Sequence, residues 1–237
     1  MSLENISSYF PAGWENINLT ETIVLDSPGM YDFSNKVYVW KGVGDVVPLW
    51  ICANDITVMN FVINNDLGQN GIKITNCSPE GDNCAVSGPN NLKLISCIGI
   101  SNSDFLVITP RSGKNYSIDN CVFFSKTGKG INLNNVYDFE IKDSIIVSAQ
   151  DAIISNGKTS GSVVNNTFYI NPQNSILSTQ NINAWTINSN TTNQFSSRQV
   201  ASTQSRDVSL NISIGLGFLI LVIIIAVILY FIFRKKT

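Results

Sequence analysis

Asp104 and Asp151 are the two carboxylates whose placement could support catalysis. Each lies eight residues beyond a small polar residue, Ser96 or Asp143, within segments that repeat one another. If the repeats stack, the pair shares one column two layers apart, roughly 10 Å at ~4.8 Å per layer. That separation is near the upper end for an inverting glycosidase pair, in which one carboxyl protonates the leaving oxygen and the other activates water. Against this, Gly128 takes the corresponding position in the layer between, and aspartates at turns commonly cap backbone N–H groups. The chain contains no histidine, which removes Ser-His, Cys-His and histidine–metal chemistry. The expectation is a non-enzymatic protein without cofactor or metal, Asp104 and Asp151 being its catalytic candidates.

Two further groups could do chemistry of other kinds. Arg111, Lys114 and Lys158 fall on corresponding turns of neighbouring repeats, with Lys126 and Lys129 nearby, and could dock an acidic partner or a glycan. Solvated lysines at turns also discourage edge-to-edge aggregation, which is the blander account. Cys77 and Cys84 flank the loop Ser-Pro-Glu-Gly-Asp-Asn and could close a small disulfide in an oxidising compartment. Cys52, Cys97 and Cys121 complete the set without any Cys-x-x-Cys spacing for zinc. Trp14, Trp40, Trp50 and Trp185 could stack on sugars, but spread along the chain they fit cap or core positions better.

These residues are carried by a repeat of about 23 residues. Val58–Ile63, Leu94–Ile100, Ile118–Phe124, Ile141–Val147 and Val164–Ile170 share an aliphatic residue, a spacer, a small polar residue and a β-rich apolar stretch. The polar anchors read as Asn60, Ser96, Asn120, Asp143 and Asn166, with Phe33-Ser-Asn35 one period upstream and Ile187-Asn188 one period downstream. The first interval is longer because it holds the Cys77–Cys84 insertion. A second strand begins 9 to 12 residues after each anchor, at Ile72–Ile74, Leu106–Ile108, Ile131–Leu133, Ala152–Ile154 and Ser175–Leu177. Alternation and β-branched content specify strands, and no 3.6-residue period survives between them. Two to three short strands per repeat, cornered by Gly, Asn or Pro, predict a coil that buries its inward residues only by stacking. About seven coils make a prism roughly 34 Å tall. Asparagines repeated at one corner can run amide hydrogen bonds up the stack. A β-sandwich of the same strands is the alternative.

With this pattern the chain resembles the right-handed parallel β-helix superfamily, the pectate-lyase-like fold. The leading segment Thr22–Phe33, with its Pro28-Gly29 turn and Tyr31-Asp32, is similar to the first rung of such proteins. The resemblance covers about residues 20 to 190 and implies an all-β right-handed parallel β-helix of about seven coils. The fold hosts lyases, hydrolases, adhesins, phage spikes and structural parts, so it implies no activity by itself. The polygalacturonase-type motifs Asn-Thr-Asp, Asp-Asp, Gly-His-Gly and Arg-Ile-Lys do not occur here. Nor is the pectate-lyase arrangement of calcium-binding aspartates near a catalytic arginine recognisable.

Beyond the repeats stands an unbroken apolar run from Ile214 to Phe233, closed by Arg234, Lys235 and Lys236. Twenty residues of helix at ~1.5 Å each match the hydrocarbon thickness of a bilayer. Ile214, Leu221, Ile225 and Phe233 are expected to face lipid, with the three basic residues beyond. The expected organisation is a cap over 1–21, a β-helix over 22–187, a polar tether over 188–211, a transmembrane α-helix over 212–233 and a basic tail over 234–237. A flexible tether reaches about 25 Å.

Met1 to Thr20 carries no basic n-region and no apolar core, so no signal peptide is visible. The expectation is tail-anchored insertion with the domain on the cytosolic side. The basic tail argues mildly for the opposite orientation. The net charge of −2 gives no electrostatic case for nucleic-acid binding by the β-domain. Seven Asn-X-Ser/Thr sequons are close to the chance number for a chain with 30 asparagines.

The reading that joins these features is a membrane-anchored scaffold. It suits a minor capsid or inner-membrane protein of a large DNA virus, single-pass, with its N-terminal domain facing the capsid. Its partners would be the bilayer and other structural proteins, with a glycan as a further option and the oligomeric state open. The alternatives are a cell-surface adhesin or glycan binder, and a membrane-tethered polysaccharide hydrolase or lyase.

Overall fold

The computed structural model describes residues 8–42, 47–66, 68–77, 79 and 88–194. Its strands form three parallel sheets. Sheet I holds Glu15–Leu19, Lys36–Trp40, Val62–Asn65, Ile98–Ser101, Val122–Ser125, Ile145–Ser148, Thr167–Ile170 and Thr191–Gln194. Sheet II holds Ile23–Leu25, Leu49–Ile51, Ile72–Ile74, Leu106–Ile108, Ile131–Asn134, Ile153–Asn156 and Leu177–Thr179. Sheet III holds Gly29–Asp32, Ile56–Met59, Leu92–Ile95, Gly113–Asp119, Val136–Lys142, Gly161–Val164 and Trp185–Asn188. The chain visits I, II and III in turn, making seven full coils and the first strand of an eighth. This is a parallel β-solenoid, with three strands in every full coil.

The repeat follows from the bend between sheets III and I. Asn35, Asn60, Ser96, Asn120, Asp143, Asn165 and Ser189 all have φ between 50° and 68°. These residues occupy equivalent places, because the sheet I registers that follow them align Val37, Val62, Ile98, Val122, Ile145, Thr167 and Thr191. Left-handed backbone excludes branched and bulky side chains, and short polar ones tolerate it best. The small polar residue of each repeat is therefore a backbone requirement. In the coil of Val164 the anchor is Asn165, not Asn166, and downstream it is Ser189, not Asn188.

Hydrogen bonds then join each bend to the next. Asn120 Nδ2 donates to Ser96 Oγ at 3.1 Å, and Asn165 Nδ2 to Asp143 Oδ1 at 2.5 Å. One residue further in runs a second ladder of backbone N–H donors. Cys97 donates to Cys121 Sγ (3.3 Å), Cys121 to Ser144 Oγ (3.0 Å), Ser144 to Asn166 Oδ1 (2.9 Å) and Asn166 to Asn190 Oδ1 (2.9 Å). The bend between sheets II and III repeats the device. Asp55, Asn91 and Asn115 are left-handed there, with Asn115 Nδ2 bonded to Asn91 at 2.8 Å and Asn91 Nδ2 to Asp55 at 2.7 Å.

Inward residues fill one continuous core. In sheet III the column Val58, Leu94, Ile118, Ile141 and Val163 is buried, and Ile51, Ile74, Ile108 and Leu133 are its counterpart in sheet II. Phe105 stacks on Phe123 with centroids 4.5 Å apart. Gly99 makes room for it, since a Cβ there would run into the Phe105 ring.

The outward face of sheet I is also apolar. Ile100, Phe124 and Val147 form a buried cluster against which Ile145, Tyr169, Tyr9 and Phe10 pack. The strand Glu15–Leu19 lies in the segment expected as cap, and Thr191–Gln194 lies in the segment expected as tether.

Replacing Asn120 by valine is expected to lower the unfolding free energy by about 2 kcal/mol, combining left-handed strain with the lost amide bond. Asn120→Gly should cost under about 1 kcal/mol, because glycine accepts that backbone. Urea unfolding of the two variants measures the difference; equal losses would show that the bend does not select the residue.

Candidate functional site

Asp104 and Asp151 do share a column, but their surroundings differ from the sequence expectation. Sheet II register aligns Leu106 with Ile131 and Ile131 with Ile153, so Lys129 rather than Gly128 stands between the two aspartates. The turn from Asn120 to Ile131 is one residue longer than those from Ser96 to Leu106 and Asp143 to Ile153, which shifts the column by one. Asp104 Oδ1 accepts the Lys129 backbone N–H at 2.8 Å, and its Oδ2 accepts Asn132 Nδ2 at 2.9 Å. The Lys129 ammonium lies 4.0 Å from the same carboxylate. Asp151 Oδ1 accepts the Ser175 N–H at 2.7 Å. Each aspartate thus caps the backbone of the following coil, and the space between them holds a lysine residue where an inverting pair keeps its water.

The basic residues divide between two corners. Arg111, Lys114 and Lys158 are exposed beside the passage from sheet II to sheet III, and no ion pair among the described residues holds them. Lys126 and Lys129 belong instead to the passage from sheet I to sheet II, where Lys126 pairs with Asp66 and Lys129 approaches Asp104. Burial pulls the Lys126 ammonium below its ordinary range.

Lys114 lines an open hollow of about 550 Å³ with Asn90, Ser112, Tyr137 and Asp138. Asp138 also borders a second hollow of about 360 Å³ with Glu140, Ser160 and Ser162. Asp138, not among the sequence expectations, brings a carboxylate that makes the corner bipolar rather than basic. Its left-handed φ of 50° matches those of Asp55, Asn91 and Asn115, and the spacing of 24 and 23 residues from Asn91 to Asn115 to Asp138 is the signal that could have located it.

The sulfur and indole groups serve packing. Cys97 and Cys121 are buried free thiols one above the other. Burial and the neighbouring Cys97 hold the Cys121 thiol well above its usual range, the opposite of a reactive thiolate. Cys52 is a free thiol raised by burial and by Asp26. Cys77 is disulfide-bonded, and Cys84 lies outside the described residues.

Trp40 and Trp185 are buried, and the ring of Trp185, in the last full coil, has its centroid 6.1 Å from that of Phe139 two coils earlier. Trp14 and Trp50 are half-buried. Trp50 faces outward under Lys73, whose Nζ sits 4.2 Å from the ring centroid, and its Nε1 donates to the Cys77 carbonyl at 2.7 Å.

Among the described residues no cluster of three or more Cys, Asp or Glu could hold a metal, and no helix is long and apolar enough to cross a membrane. The anchor residues Ile214, Leu221, Ile225, Phe233, Arg234, Lys235 and Lys236 lie outside the described residues. No protein-family model matches the chain, and no curated protein matches it.

Asp104→Ala is expected to destabilise the fold by about 1–3 kcal/mol, by orphaning the Lys129 N–H. Asp104→Asn should lose less, since an amide oxygen still accepts that bond; thermal unfolding distinguishes the two.

At the first coil, bonds from Ser34 and Asn60 lower the Asp32 carboxyl from its ordinary value. A carboxyl depressed by folding contributes stability above its unfolded pKa and loses it as pH falls through the folded one. Asn60→Ala should raise the Asp32 pKa toward the free value in an NMR titration, and an unchanged titration would remove that partner from the account.

Proposed function

We propose that the chain is a non-enzymatic scaffold, a membrane-anchored β-helix of the pectate-lyase-like kind that links a bilayer to a protein shell. The setting that fits is a minor capsid or inner-membrane protein of a large DNA virus, single-pass, its N-terminal domain toward the capsid. One observation carries the structural part of this reading. The two carboxylates placed for chemistry are both bonded to the backbone of the next coil, so they serve the stack. A rigid body whose corners are stapled coil by coil suits a spacer or docking platform. The exposed corner of Arg111, Lys114, Tyr137 and Asp138 offers both charge signs to a partner protein. The membrane part rests on the apolar run Ile214–Phe233 and its basic close.

An adhesin or glycan binder is the second reading, resting on the Asn-X-Ser/Thr sequons at exposed Asn115 and Asn165. Protease treatment of intact and detergent-opened particles separates the two. In the scaffold reading the domain copurifies with particles, stays protected until they are opened, and carries no glycan on Asn115 or Asn165. Absence from purified particles, or glycosylated sequons on an intact cell surface, would move the assignment to the adhesin. Cleavage of any polysaccharide by the wild-type chain, lost in Asp104→Asn, would overturn both.

A further inference from the structure

The two ends of the solenoid are chemically unlike. The first coil exposes Glu15, Glu21, Asp26 and Asp32, and none of residues 8–35 is Lys or Arg. Charges at a sheet edge are a standard protection against strand addition. At the other end the chain carries no charged residue from Thr159 to Gln194. There Thr191–Gln194, Leu177–Thr179 and Trp185–Asn188 are the last strands of sheets I, II and III, and no described strand pairs with their free edges.

Among the described residues nothing covers the core at this end. Ile187 continues the inward column of Val58, Leu94, Ile118, Ile141 and Val163, each at most 1% exposed, yet Ile187 is 41% exposed. Thr192 continues the inward column above Phe168 and is exposed too. Ile182, in the turn of the same coil, is 53% exposed. Three bare edges, an open apolar column and a charge-free rim coincide on one surface.

We propose that this C-terminal end of the solenoid is a self-association surface that receives the same end of a second copy, forming a closed two-fold dimer. The opposite end is a poor partner, since docking it would bury four carboxylates with no base to meet them. A lipid surface is a poor partner as well, because the rim has no Lys or Arg for anionic headgroups and would leave backbone groups unpaired. Two copies of the neutral end satisfy each other: a two-fold axis lets edge strands pair antiparallel and covers each open column with its equivalent. The inference stands on the described end of the solenoid and is independent of the membrane reading.

The test is the mass of the full chain in mild detergent by light scattering, paired with hydrogen exchange. Wild type should have the mass of two chains, with slow exchange at residues 177–179, 186–188 and 191–194. Ile187→Lys with Thr192→Lys should give one chain, with far-UV circular dichroism unchanged, and association at least tenfold weaker. A monomeric wild type, fast exchange at those three strands within a dimer, or open-ended oligomers from head-to-tail growth would each overturn the proposal. So would a dimer that survives the double lysine variant. If that variant fails to fold, dilution of the wild type decides: protection at the three strands must fall together with the dimer mass, and protection that persists in the monomer overturns it.

Discussion

A chain that turns three corners per coil must change direction sharply without abandoning its backbone hydrogen bonds. That constraint organises this molecule. At the bend from sheet III to sheet I it is met by one left-handed residue per coil, drawn from Asn, Asp and Ser, whose backbone N–H still reaches a carbonyl of the next coil, as Ser96 reaches Asp119 at 3.0 Å. The side chain that tolerates the conformation is also the one that can bond its equivalent above or below. Conformation and ladder therefore select the same residue types, and local and global preferences agree.

The same economy explains where reactive groups went. Carboxylates, thiols, hydroxyls and amides cluster at corners, and corners are where a solenoid has unpaired backbone groups to satisfy. Asp104 and Asp151 hold N–H groups, Cys121 Sγ accepts one, and Ser125 Oγ donates to the Ser103 carbonyl at 2.5 Å. Residues committed in this way position strands. What the molecule offers outward are its faces, its corners and its two ends.

Much of this was legible in the residues. The 23-residue spacing gave the coil, since a left-handed bend admits few residue types, and sheet II strands fell within two residues of their expected places. Asn165 and Asn166 satisfy the pattern equally in sequence, and only the structure separates them, Asn165 bending the backbone and Asn166 entering the inner ladder. Counting forward from the anchors puts Gly128 between the aspartates, whereas counting back from the strands puts Lys129 there, because the turn before Ile131 is one residue longer. The apolar outer face of sheet I was invisible for a different reason: in Val122-Phe123-Phe124 inward and outward residues are both apolar, so alternation carries no signal. The exposed C-terminal end was hidden because Ile187 reads as an ordinary core residue, and only its 41% exposure sets it apart from the buried Val163 beside it.

Tyr9 and Phe10 precede the first strand in the chain yet pack on the cluster of Ile100, Phe124 and Val147, contributed by the fourth, fifth and sixth coils. During synthesis those two aromatics leave the ribosome more than a hundred residues before Val147 exists to receive them. Coils can pile up as they emerge, each on its predecessor, but this contact has to wait. Tyr9 and Phe10 are thus among the later residues to settle, and a chain halted midway through translation has only part of their seat.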